Sequence, residues 1–274
     1  MASETAQPGF WARVQRASVE RLHIRLESLL VLVLLSAAMA LLSPFFLSLS
    51  NFLNILLATS TIGVLAIAAT FVIGSGGLDL TLGMLGLARG LALVISQGRA
   101  IYGLPAEIVY IGQGRPLGIP MPVVILVLTA IIAHAVLAYT RFGRHTLALG
   151  DSESAARAAG IGVEHHRRII YTLSGALAGL AGLLFTARVN AGDPTAGINY
   201  ELTAITAAII GGTNLFGGRA SILGTMIGAL IMGVLQNGLT LLAVQSYYQQ
   251  MAIGAVLILA VFIDQYQVRK ESRV

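Results

Sequence analysis

Apolar residues fall along this chain in helix-length runs separated by short polar stretches. Ser28 to Leu47 carries no charge and, at about 1.5 Å per residue, is long enough to cross a bilayer core. Ile55–Ile73, Val123–Tyr139 and Ile169–Ala187 are further clean runs, the last rich in small residues. Ile222–Leu235 is a fifth and Gln250–Ile263 a shorter sixth. Two stretches are ambiguous. Leu82–Ile95 is interrupted by Arg89, and Leu202–Ile210 runs into a glycine cluster and reads as re-entrant or broken. The pattern predicts an all-α, polytopic transmembrane helix bundle with about seven to eight membrane segments.

Basic residues orient these spans. Of the 17 Lys and Arg, twelve lie in three blocks. Arg13, Arg16, Arg21 and Arg25 precede the first run; Arg141, Arg144, Arg157, Arg167 and Arg168 lie between the third and fourth; Arg269, Lys270 and Arg273 follow the last. The positive-inside rule places all three blocks, and so both termini, in the cytoplasm. The expected division is a cytoplasmic tail over residues 1–27, a membrane domain over 28–264 and a second tail over 265–274. The first run is too long for a signal-peptide core and reads as an uncleaved span. The tail before it mixes Phe10, Trp11, Val14, Val19 and Leu22 with four arginines, as an amphipathic surface helix does.

Composition sharpens the class. Of 274 residues, 56% are hydrophobic and 11% charged, against roughly 25% charged in soluble domains. Mean hydropathy is +0.83. The net charge of +5 reads as loop bias, so no nucleic-acid partner is expected. With no cysteine there is no disulfide or thiolate metal site. Lys270 is the single lysine and sits in the tail, so no P-loop is present. His165 and His166 are adjacent and point about 100° apart on a helix, which disfavours a shared metal. They read as a polar interfacial pair. His134 reads as a hydrogen-bonding residue facing the bundle, ahead of a proton relay. Nothing points to an enzyme, a catalytic residue, a metal or a cofactor held by this chain.

The most informative polar stretch is Arg141–Arg168. Asp151 or Ser152 can cap a short helix whose first turn holds Glu153, a favourable charge at that end. Alanines make it small-sided and Gly160 stops it. Docking into a groove of another protein and an ordinary interfacial helix fit this pattern equally.

Here the residues resemble a known family. Glu153-Ser-Ala-Ala followed by Gly160-Ile161 is similar to the coupling loop of ATP-binding cassette (ABC) importer permeases. Thr140–Ile161, Ile198–Leu242 and VIGSGGLDL (Val72–Leu80) resemble the ribose-type monosaccharide permeases, and the likeness runs from Asn51 to Asp264. The resemblance implies a sugar-importing subunit of a bacterial inner membrane. Its partners would be a second permease subunit, a periplasmic sugar-binding protein and a cytoplasmic ATPase that binds the ATP. It maps the coupling site onto Asp151, Glu153, Ala155, Ala156, Gly160 and Ile161, within the loop 140–168, with the small residues docking and Gly160 ending the helix.

The chain departs from the family pattern at one join. Asp79-Leu80 runs straight into Thr81-Leu82-Gly83-Met84, where the family has about one further span and its connections. Two alternatives stand beside the importer reading: a secondary transporter and, raised by this join, a shortened permease that does not transport. Further residues carry weaker expectations. Asp79, Gly211, Gly212 and Asn214 are candidates for the translocation path, beside the plainer readings of a helix end and a tight turn. Arg89 pairs with Asp79 or snorkels. Gly175-xxx-Gly179 and Gly224-xxx-Gly228 are expected to pack within the chain rather than dimerise. Gln97–Pro120, Asp193–Thr195 and Tyr200-Glu201 read as outer-face segments, the first irregular.

Overall fold

A computed structural model of the chain describes residues 10–77 and 79–271. Side chains of 10–25, 79–84, 264 and 267–271 lie outside that description, and with them the expected amphipathic face of the tail and the Asp79–Arg89 pair.

The first helix, α1 (Phe10–Leu42), runs unbroken from the tail into the membrane segment. It stops five residues short of the predicted Leu47, because Pro44 cannot continue a helix and disfavours helical backbone at Ser43. Ser48 caps α2 (Leu49–Gly74), its Oγ accepting from Asn51 N at 3.2 Å. After α3 (Asp79–Ser96) the segment 97–120 is more ordered than expected. It holds β1 (Ile101–Tyr102), α4 (Ala106–Gln113) and a single 3₁₀ turn at Pro116–Gly118. Then come α5 (Met121–Tyr139), α6 (Arg141–Asp151), α7 (Glu153–Ala158) and α8 (Val163–Val189). The chain ends with β2 (Ala191–Gly192), α9 (Tyr200–Ile210), α10 (Ile222–Leu241) and α11 (Ser246–Glu271).

Eight residues do not hold a helix by propensity, so α4 owes its form to packing. Gly112 lies directly on the backbone of Ala187 and Arg188 in α8, and Gln113 Nε2 donates to Arg188 O at 3.1 Å. The strand pair β1–β2 closes the same corner.

Among the described residues, five helices are long and apolar enough to cross a membrane: α2, α5, α8, α10 and the Ser246–Ile263 part of α11. Three shorter apolar helices accompany them, Leu26–Leu42, Leu85–Ser96 and Tyr200–Ile210. The protein is an all-α polytopic membrane bundle. Large apolar residues such as Leu41, Ile132, Ile258 and Phe262 are exposed while equally apolar ones fill the core, the pattern of a bundle whose solvent is hydrocarbon.

Helix α2 is the central element, buried along most of its length between α5, α8, α9 and α10. Its N-terminal end meets α10, where Asn237 Nδ2 donates to Asn51 Oδ1 at 2.9 Å; beside it Gly238 of α10 lies on Met39 of α1, and Ile55 of α2 joins Met39 in one buried cluster. Buried hydroxyls mostly donate back to their own helices, as Thr70 does to Ala66 O (2.7 Å) and Thr206 to Leu202 O (2.6 Å). A hydroxyl pair also joins α2 to α10: Thr70 Oγ1 and Thr225 Oγ1 are 2.8 Å apart, both fully buried. Thr70→Val is expected to cost about 1 kcal/mol. Thr70→Val/Thr225→Val should cost less than the sum of the single changes, as read by thermal unfolding in detergent. Additive losses would show that the pair is not coupled.

The second glycine pair packs internally, as expected. Gly224 lies on Gly211 O and Gly228 on Ala207 O, so the backbones of α9 and α10 touch. The first pair is a correction. Nothing lies within 4 Å of a Cβ added at Gly175 or Gly179, because that face of α8 points away from the rest of the chain.

Candidate functional site

Two short helices, α6 and α7, build a corner against the start of α8 at one end of the bundle. Thr140 caps α6, accepting from Gly143 N at 3.2 Å. Gly143, Thr146 and Leu149 then form its buried stripe. The chain turns at Ser152, whose extended backbone (φ −158°) ends α6 and starts α7. Ser152 N donates to Ala148 O at 3.1 Å, while its Oγ accepts from Ala155 N at 3.3 Å. Of the two candidate caps, Ser152 therefore does the capping and Asp151 is the last residue of α6.

The far end of α7 is closed by two backbone bonds. Gly160 N donates to Arg157 O and Ile161 N to Ala156 O, each 3.1 Å, with Gly160 at φ +81°. This is a Schellman stop, which favours glycine at that position. Ile161 packs on a small cluster of Leu149, Ala156 and Val163. Ala156 thus points into the chain, while Ala155, Glu153 and Ser154 face outward. Ala156 anchors α7 inward, and the exposed face of the helix is the one carrying Ala155.

Charges tie the same helix to α8. Glu153 Oε1 accepts from Arg157 Nη2 and Glu153 Oε2 from Arg167 Nη2, both at 2.8 Å, and Arg157 Nη2 also reaches Glu164 Oε1 at 3.5 Å. The bonds from Arg157 and then Arg167 hold the Glu153 carboxyl below the usual carboxylate range. The stabilisation from these pairs is present above the ordinary carboxylate pKa and is lost as pH falls through the lowered folded value. Exposed pairs contribute little each, so the effect is local. Amide hydrogen exchange in α7, corrected for intrinsic rates, is expected to speed up over that acid window and to lose this step in Glu153→Gln. An unchanged profile in Glu153→Gln would detach the step from Glu153.

The remaining candidates do not gather in one described site. Asp79 opens α3 by its backbone, and its side chain lies outside the described residues. Gly211, Gly212 and Asn214 form the turn between α9 and α10. Gly212 N donates to Ile209 O (2.8 Å), Asn214 N to Arg219 O (3.0 Å) and Phe216 N to Asn214 Oδ1 (2.9 Å). That turn sits against the α6–α7 corner: Gly218 N donates to Gly74 O at 3.2 Å, beside Gly150 and Asp151.

Two features escaped sequence reading. The contact of Gly74, Gly150 and Gly217-Gly218 joins residues far apart in the chain, and no local signal announces it. His166 is buried rather than interfacial, its Nε2 3.0 Å from Thr146 Oγ1 and its ring 4.6 Å from that of Phe142. His165 beside it is exposed, so the two histidines do take different faces. His134 makes an edge contact with Tyr139 at 5.8 Å. Beyond the C-terminal end of α8, Asp193 Oδ1 accepts from Thr195 N (2.8 Å) and Oγ1 (2.7 Å), a self-contained turn.

Comparison with known proteins places this architecture. A family model described as a branched-chain amino acid transport system / permease component matches residues 26–261. The chain belongs to this permease family. The permease is 37% identical to the ribose import permease protein RbsC of Escherichia coli K12, over 87% of its own length and 92% of the relative. Against the ribose import permease protein RbsC of Bacillus subtilis it is 36% identical, over 90% and 94%. Against the D-allose transport system permease protein AlsC of E. coli K12 it is 41% identical, over 68% and 57%. No solved structure matches.

The E. coli RbsC alignment runs to 297 positions, while 87% of this 274-residue chain is about 238 residues. About 59 aligned positions therefore have no counterpart in the permease. That is room for one span of about 20 residues with long connections, or for two spans.

Proposed function

We propose that this chain is the membrane-spanning subunit of an ABC importer, translocating a ribose-like monosaccharide across a bacterial inner membrane. A periplasmic sugar-binding protein delivers the sugar, a second permease subunit completes the core, and a separate cytoplasmic ATPase binds ATP and docks on α7. The observation that carries the reading is α7 itself. A six-residue helix is capped at both ends, anchored inward by Ala156 and fastened to α8 by Glu153, with its opposite face bare. Such rigidity suits a part that is pushed by a partner. Relatives named for ribose import and for D-allose transport support the substrate class. In mechanism, ATP-driven closure of the ATPases would move α7 and shift the bundle between its two access states.

The test is sugar uptake into membranes carrying the chain with its ATPase and binding protein, beside Glu153→Lys. ATP-dependent uptake that falls by at least about tenfold in correctly inserted Glu153→Lys is the expected result. Uptake that needs no ATPase would identify a secondary transporter. A parent chain that inserts and binds the ATPase but moves no sugar would identify a shortened, non-transporting permease, the reading favoured by the missing 59 or so positions.

A further inference from the structure

We infer that Gly74, Gly150, Gly217 and Gly218 form a rigid backbone junction that passes movement of α7 to α2 and to the α9–α10 hairpin. The inference rests on the reading of α7 as the ATPase dock. Three chain segments meet here without intervening side chains. A Cβ added at Gly150 would strike Gly74 O and stand 2.6 Å from Gly218 N. One added at Gly217 would stand 2.7 Å from Gly150 O and 2.8 Å from its Cα. Gly217 and Gly218 hold φ of +90° and +78°, which side chains rarely adopt. A hydrogen bond from Gly218 N to Gly74 O fastens the loop to the end of α2.

Backbone against backbone leaves no rotamers to absorb a push, and packed interiors transmit strain. The junction stands two residues before Ser152, where α7 begins. On its other side it meets α2, which runs the length of the bundle, and the loop that leads directly into α10. Those two helices are joined again at Thr70–Thr225 and at Asn51–Asn237. A displacement entering at α7 is thereby delivered to the core helix pair as a unit. The four glycines are positioning residues: they touch no substrate and act through the helices they join.

The chain has no cysteine, so paired cysteines report cleanly. A Cβ at Gly74 lies 3.0 Å from Ala220 Cβ, within a few tenths of an ångström to an ångström of disulfide spacing. Gly74→Cys/Ala220→Cys is oxidised in the complete transporter, nucleotide-free and vanadate-trapped, and the disulfide is measured by peptide mass spectrometry. A junction that stays closed through the cycle gives yields equal within about twofold. In parallel, Gly217→Val is expected to cut uptake at least about tenfold while the ATPase still co-purifies. Yields that differ by more than about fivefold, or full uptake in Gly217→Val, overturn the junction and leave the docking reading intact. Failure of the ATPase to co-purify with the parent chain instead removes the docking reading, and the junction's role falls with it.

Discussion

Ala156→Glu is expected to abolish uptake, by more than about a hundredfold, although the residue points into its own chain. Ala156 is 3% exposed and sits between Leu149 and Val163, with Ile161 closing the cluster. A carboxylate placed there is buried among the apolar side chains of Leu149, Val163 and Ile161, which costs several kcal/mol. The chain can relieve that cost only by swinging α7 off α6, which breaks the Ile161-to-Ala156 bond and separates Glu153 from Arg167. Trypsin cleavage after Arg157 should then become fast in membranes, with insertion of the spans unchanged. Ala155→Glu is the contrast, one position away and exposed. It should leave the loop as resistant to trypsin as the parent and weaken only ATPase co-purification. Equal trypsin resistance and full uptake in Ala156→Glu would show that Ala156 does not anchor α7.

That pair of alanines marks where sequence reading stopped. The caps of α7 were legible because Ser152 and Gly160 act on their immediate neighbours. Which alanine faces inward was not, since six residues give no periodicity and the deciding partners, Leu149 and Val163, lie outside the helix. Spans were legible because a bilayer demands long apolar runs. Their ends were less so: Ser28–Leu47 looked continuous by hydropathy, although Pro44 carried the signal that ends α1 at Leu42. The short helix α4 could not be foreseen, because it exists by virtue of its contact with Ala187 and Arg188. The glycine junction is wholly non-local. Gly74, Gly150 and Gly217 each look like ordinary helix ends or turns, and only the fold brings them together. Of the two readings of Gly211–Asn214, the tight turn between helices is the one observed, and its neighbours, the α6–α7 corner and α10, are set by the fold.

Gly228→Leu and Gly175→Leu should separate more widely than any other matched pair, because the sequence motif around them is the same. On α10, Gly228 lies against Ala207 O and Gly224 against Gly211 O, so α9 rests on bare backbone. A leucine at 228 must displace a backbone carbonyl, which cannot rotate away, and overpacking of this kind costs about 3 kcal/mol or more. The helix displaced is α9, eleven residues whose anchorage also includes Ser28 Oγ donating to Ile210 O at 2.6 Å. Gly228→Leu is therefore expected to lose most monodisperse protein on detergent extraction. On α8, nothing lies within 4 Å of a Cβ at Gly175, Gly179 or Gly182. Gly175→Leu should leave extraction and thermal unfolding of the single chain unchanged. Both outcomes follow from whether a glycine has a backbone opposite it, a property of the fold that spacing along the helix does not encode. Normal yield from Gly228→Leu would mean that α9 and α10 do not touch as described, and a collapse of Gly175→Leu would mean that the bare face of α8 is covered from within the chain.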